Sequence, residues 1–72
     1  TNQGRIDAVV VLRNHIYLFE FKLNQSAAAA LQQIKEHVYY QKYRQRGKPI
    51  TLIGANFDST KRQVVEWQQA AG

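Results

Sequence analysis

Apolar and polar positions along the chain alternate with two different periods. Residues 5–12 and 16–23 are dense in Val, Ile, Leu, Phe and Tyr, and only the short run "RNH" parts them. Such side chains favour a pleated surface, so Arg5 to Leu12 and Ile16 to Leu23 are predicted strands of a hairpin turning at Arg13 and Asn14. Beyond Ser26, a suitable N-cap, Ala27, Leu31, Ile34 and Val38 recur at helical spacing, and the pattern stops before Gly47 and Pro49. This predicts one helix of about five turns. "PITLIGANF" reads as a third strand opening on proline, and "DSTKR" as a turn into a fourth, "QVVEW".

The predicted order is therefore strand, strand, helix, strand, strand, a small α/β domain with no internal repeat and no linker. The connection between the second and third strands is long enough for a helix and should join parallel strands, so the sheet is expected to be mixed. In the hairpin, Val9, Val11, Ile16 and Leu18 share one face, while Ala8, Val10, Leu12, Tyr17, Phe19 and Phe21 form a second apolar face. One helix covers one side. A preceding segment of a longer parent, or a second copy of the chain, is expected on the other.

Register brings out the chemistry. An even hairpin loop sets odd positions opposite even ones, so a loop of Arg13 and Asn14 places Leu12 opposite His15 and, counting back, Asp7 opposite Glu20. Two carboxylates facing each other about 5 Å apart repel unless one is protonated or a cation neutralises them. Oxygen ligands from Asp7 and Glu20, the Phe21 backbone carbonyl and retained waters suit Mg²⁺ or Mn²⁺ better than zinc. Lys22, two residues beyond Glu20, points the same way. The plainer alternative makes these polar residues the solvated ends of neighbouring strands.

Composition adds limits. A chain of 72 residues makes one domain, residues 1–72, and buries only about 60% of its unfolded surface. Without cysteine there is no disulfide or thiolate site to staple it. No apolar run reaches the length of a membrane span and the start lacks the order of a signal peptide, so a soluble, cytoplasmic protein with no membrane partner is expected. Ten Lys and Arg against five Asp and Glu give a formal charge of +5, which favours polyanions.

"GRID", followed about a dozen residues later by "FEFK", resembles the PD-(D/E)XK nuclease superfamily, in which an acid opening one strand and an acid-x-lysine triplet on the next form the active site. "ALQQIKEHVYYQKY", "GKPITLIGANFDS" and "KRQVVEW" extend the resemblance, toward the prokaryotic branch whose nuclease-like domain ends a longer protein behind an ATPase-like domain. The resemblance implies that Asp7 is the first acid, Glu20 the second and Lys22 the lysine. Gln33 matches the glutamine this branch carries on the following helix, with Gln32 as the adjacent alternative. Ile6 stands where the family often has proline. The family's helix and strand ahead of the hairpin have no counterpart in these residues, so a truncated restriction-endonuclease-like core is expected.

The implied activity is metal-dependent phosphodiester hydrolysis of nucleic acid, DNA being the first expectation. The other classes are a catalytically inactive nuclease-fold module that binds nucleic acid or a protein, and a structural oligomerisation domain. Lys42, Arg44, Arg46 and Lys48 cluster at the helix end and the following loop, where they are candidates for phosphate contact and also complement the helix dipole. Tyr39, Tyr40 and Tyr43 read as core packing before base stacking. His15 belongs to the turn. His37 has no second imidazole at a metal-binding spacing and reads as a surface or packing residue. Asp58 reads as a turn former and Trp67 as an anchor of the last strand. The uncovered apolar face makes a homodimer the expected assembly.

Overall fold

The computed structural model describes residues 6–72. The two-residue turn forms as the pattern predicts, with the Leu12 N–H donating to the His15 carbonyl at 2.8 Å. From it β1 (Ala8–Val11) and β2 (Ile16–Leu23) run antiparallel, with Val11 opposite Ile16 and Ala8 opposite Phe19. β1 is shorter than expected. Arg5 lies outside the described residues. At Asp7 the ladder gives way because the Asp7 side chain, not a backbone carbonyl, meets the next amide: the Phe21 N–H donates to Asp7 Oδ2 at 2.9 Å.

The predicted single helix is two, α1 (Ala27–Glu36) and α2 (Val38–Arg44). Ser26 caps α1 as expected, its Oγ accepting the Ala29 N–H at 3.0 Å. Two bonds from distant strands fix the same end: the Gln25 N–H donates to Asn56 Oδ1 at 2.8 Å, and the Ala27 N–H to Glu66 Oε1 at 2.6 Å. The break is at His37, whose backbone is extended at φ −76° and ψ 140°. Ala27, Ala30, Leu31 and Ile34 pack on the sheet, but Val38, expected to continue that stripe, is 65% exposed. The extended residue turns α2 so that Tyr40 enters the core in Val38's place. Of the three tyrosines expected to pack, Tyr40 is buried, Tyr43 lies on the core's margin and Tyr39 is exposed.

β3 (Ile50–Asp58) lies parallel to β2, with Ile16 beside Ile50, Leu18 beside Leu52 and Glu20 beside Gly54. Asp58 makes the following turn, its Oδ1 accepting the Thr60 and Lys61 N–H groups at 2.8 and 2.9 Å. β4 (Gln63–Ala71) then returns antiparallel to β3 and continues past the predicted "QVVEW". The sheet is mixed, in the order β1-β2-β3-β4. Its core is Ile16, Leu18, Ile50 and Leu52 from the strands with Leu31, Ile34 and Tyr40 from the helices.

Gly54 lets α1 settle onto this sheet. A Cβ there would stand 2.6 Å from the Ala27 carbonyl oxygen, 2.8 Å from the Leu31 nitrogen and 3.0 Å from the Ala30 Cβ. The helices therefore lie on the face that carries Glu20. The opposite face remains open, with Val10, Phe21, Phe57 and Trp67 all exposed. Trp67 is thus not the anchor expected of it. Its position opposite Ala55 directs it to the uncovered side. Among the described residues, no helix is long and apolar enough to cross a membrane.

Candidate active site

Glu20 occupies the middle of β2 on the helix-covered face and is only 1% exposed. Strand alternation puts it there with Ile16 and Leu18, and its neighbour across the parallel seam is Gly54, where α1 leaves no room for a Cβ. Lys22 follows on the same face, partly buried and beside Asn56. Asp7 lies one step beyond the last β1–β2 pair, which continues the register toward Glu20, and it is exposed. Its bond to the Phe21 amide anchors the first acid to the strand that carries the second. Phe21 itself faces the open side, so only its backbone belongs to this group.

Gln33 rides on α1, partly buried, one turn before His37. Gln32, the alternative, is exposed and donates from Nε2 to Glu36 Oε2 at 3.0 Å along the outer side of the helix. That engagement directs it away from Glu20.

His37 was expected at the surface or in packing, and it is the residue whose role the sequence concealed. It is 6% exposed, and its Nε2 lies 3.7 Å from Glu20 Oε1. The helical period carried the signal, because His37 stands three residues after Ile34 and seven after Ala30, both of which face the sheet. Glu66 was also overlooked: from β4 it places a carboxylate at the N-terminus of α1, where exposed amides favour negative charge. Among the described residues, no three His, Cys, Asp or Glu side chains converge closely enough to hold a metal ion.

The basic cluster lies elsewhere. Lys42 Nζ sits 4.6 Å from the Tyr39 ring centre, Arg44 Cζ 5.6 Å from that of Tyr40 and Arg46 Cζ 4.9 Å from that of Tyr43. Lys48 donates to the Leu12 carbonyl at 3.1 Å, which ties the loop to the hairpin turn. That turn lies about 16 Å along β2 from Glu20, at the ordinary rise of a strand.

Comparison with known proteins agrees with this architecture. The family model of the PD-(D/E)XK nuclease superfamily matches residues 1–67. A protein of Azotobacter chroococcum mcd 1, described as "Uncharacterized protein in vnfD 5'region", is 49% identical over 67 residues, which cover 90% of this chain and 13% of that protein. The chain therefore spans about an eighth of the length of the curated relative it matches. No solved structure matches. A family match across nearly the whole chain, on a fold with the acid-bearing hairpin and the parallel strand beyond the helices, makes this chain a member of the PD-(D/E)XK nuclease superfamily.

Proposed function

We propose that the chain is a metal-dependent nuclease domain that hydrolyses phosphodiester bonds in nucleic acid. The observation that carries this reading is Glu20, a carboxylate buried in mid-strand, with Lys22 next on its face and Asp7 continuing the register toward it. A site with few protein ligands fits Mg²⁺ or Mn²⁺, which retain several waters, and Asp7, Glu20 and the Phe21 carbonyl are the oxygen donors proposed to hold the ion. Such an ion, when bound, would supply a Lewis acid and lower the pKa of a coordinated water.

The chain's own residues do the rest. Lys22, on the same face, offers positive charge to a phosphoryl oxygen as negative charge builds there, a contribution worth a few kcal/mol for one well-placed donor. Gln33, above the sheet on α1, is proposed to orient the attacking water or a phosphate oxygen. The water oxygen bonds to phosphorus, one ester P–O bond breaks, and the released sugar oxygen takes a proton. Lys42, Arg44, Arg46 and Lys48 are proposed to contact phosphates at the hairpin end. Lys42, Arg44 and Arg46 lie over the rings of Tyr39, Tyr40 and Tyr43, an arrangement that leaves a cation its charge.

A second reading has its own support. With Asp7 bonded to the Phe21 amide and no three metal-binding side chains gathered among the described residues, a non-cleaving nuclease-fold module is the alternative. In either case we propose a cytoplasmic domain of a longer protein, with an ATPase-like region before it; the much greater length of the relative supports the longer protein alone. Incubation with supercoiled plasmid DNA and with single-stranded DNA and RNA, with and without Mg²⁺ or Mn²⁺, distinguishes the two. Metal-dependent cleavage lost in Glu20→Gln supports the nuclease. Binding without cleavage in every metal supports the module.

A further inference from the structure

His37 is placed at some expense. It is the single extended residue between α1 and α2 and the N-cap of α2, yet its side chain makes no capping hydrogen bond. Its backbone is satisfied, the N–H donating to Ile34 at 3.1 Å and the carbonyl accepting from Tyr40 at 3.2 Å. The imidazole instead turns inward to Glu20. Among the described residues its Nε2 has no hydrogen-bond partner, and the 3.7 Å to Glu20 Oε1 exceeds the 2.7–3.2 Å of an N–H···O bond. Leaving a buried polar nitrogen in that state costs about 1–3 kcal/mol. What holds the imidazole there is the approach to Glu20, an ion pair when the ring is protonated but too long for a hydrogen bond.

We propose that His37 Nε2 is a nitrogen ligand of the divalent cation, joining Glu20 on the buried side of the site. The proposal rests on the metal-dependent reading above and adds to it a donor outside the acid, acid and lysine set. Two donors each about 2.1 Å from one ion are about 3.0 Å apart at an octahedral right angle and about 3.4 Å apart at a tetrahedral angle. The observed 3.7 Å is a few tenths of an ångström wider, so the two groups would have to draw together on the ion, and Asp7, which does not converge with them in this structure, would have to follow. The imidazole nitrogen would then gain a direct bond where it now has only the 3.7 Å approach to Glu20, and the extended backbone at His37 would have its reason.

A nitrogen donor also alters selectivity. Carboxylate and carbonyl oxygens suit Mg²⁺, whereas imidazole raises affinity along the transition series, so His37 should favour Mn²⁺ and Co²⁺ over Mg²⁺.

Pulsed electron paramagnetic resonance of the chain with Mn²⁺ tests the assignment directly. The expected spectrum shows ¹⁴N modulation that persists in His15→Asn, the other histidine, and disappears in His37→Asn, where Mn²⁺ affinity falls roughly tenfold while Mg²⁺ affinity changes less. Should His37→Asn fail to fold, wild type carrying ¹⁵N-histidine decides, since a true ligand replaces the ¹⁴N pattern with the ¹⁵N one. Mn²⁺ bound in a Glu20-dependent way without nitrogen modulation, or with modulation that survives in His37→Asn, overturns the ligand and leaves the metal-dependent reading standing. No Mn²⁺ binding at all overturns both.

Discussion

Gly54→Ala is expected to loosen the fold at the point where α1 is held over Glu20. The added methyl would meet the Ala27 carbonyl at 2.6 Å, the Leu31 nitrogen at 2.8 Å and the Ala30 Cβ at 3.0 Å, and the two nearest atoms are backbone that cannot rotate aside. Relieving these contacts to an ordinary separation lifts the helix by about 0.5–0.8 Å, a displacement that forfeits a quarter to a half of the dispersion energy across the gap. Ala30, Leu31 and Ile34 all lie on that interface. The cost comes to about 2–3 kcal/mol, in the upper part of the range for overpacked cores. A domain of this length has about 4–11 kcal/mol in total, so the loss is large. In urea, with a slope near 1 kcal/mol/M for so small a chain, the midpoint should fall by about 2–3 M. Gly47→Ala is the matched control: its left-handed φ of 77° is strained for alanine but nothing lies within 4 Å of the new Cβ, so about 1–2 kcal/mol is expected. If Gly54→Ala unfolds within about 0.5 kcal/mol of wild type, the tight α1–β3 contact does not support the helix as described.

Several measurements bear on the site and the surface. Mg²⁺ or Mn²⁺ should raise the melting temperature of wild type but not of Glu20→Gln, and identical calorimetric titrations of the two proteins would remove Glu20 from the cation site. Lys22→Ala should retain metal binding and lose cleavage by a factor of at least about a hundred, whereas full activity would assign the water's activation to the ion alone. The isolated chain should sediment as a dimer at micromolar concentration. Phe21, Phe57 and Trp67, exposed by 48, 37 and 62%, leave about 300 Å² of ring surface open on one face before Val10 and Val64 are added. A stable monomer of 8.3 kDa would show that this face tolerates water.

Much of this was legible because sheets have a strict period. An even two-residue loop dictates which residues oppose each other, so the pairing of Val9 with Leu18, and the projection of Asp7 toward Glu20, followed from counting. The parallel seam followed from the length of the helical crossover. What could not be counted was local competition for backbone donors. The Asp7 carboxylate takes the Phe21 amide and ends the ladder early, a choice that depends on side-chain reach rather than on polarity pattern. The helix break at His37 was hidden for a similar reason: Val38 and Tyr40 compete for the same core space, and their relative fit depends on a sheet surface distant in sequence. The need for glycine at 54 could not be read from its strand, because the atoms that exclude a Cβ there belong to α1.

The parallel seam between β2 and β3 also bears on how the site comes into being. Both hairpins pair residues close in sequence, so they can form on the microsecond scale, whereas Ile16 meets Ile50 only after the whole helical crossover has been closed. Closing that loop costs chain entropy before any contact offsets it, which makes the seam the natural kinetic bottleneck. Stopped-flow refolding examines this: Gly54→Ala, on the seam, should slow refolding, and an unchanged refolding rate with faster unfolding would place the bottleneck elsewhere. The first hairpin alone can bring Asp7 to the Phe21 amide, but the burial of Glu20 and its meeting with His37 wait for the seam. A nascent chain would thus carry its two acids side by side and hydrated, and enclose Glu20 only in the last cooperative step of folding.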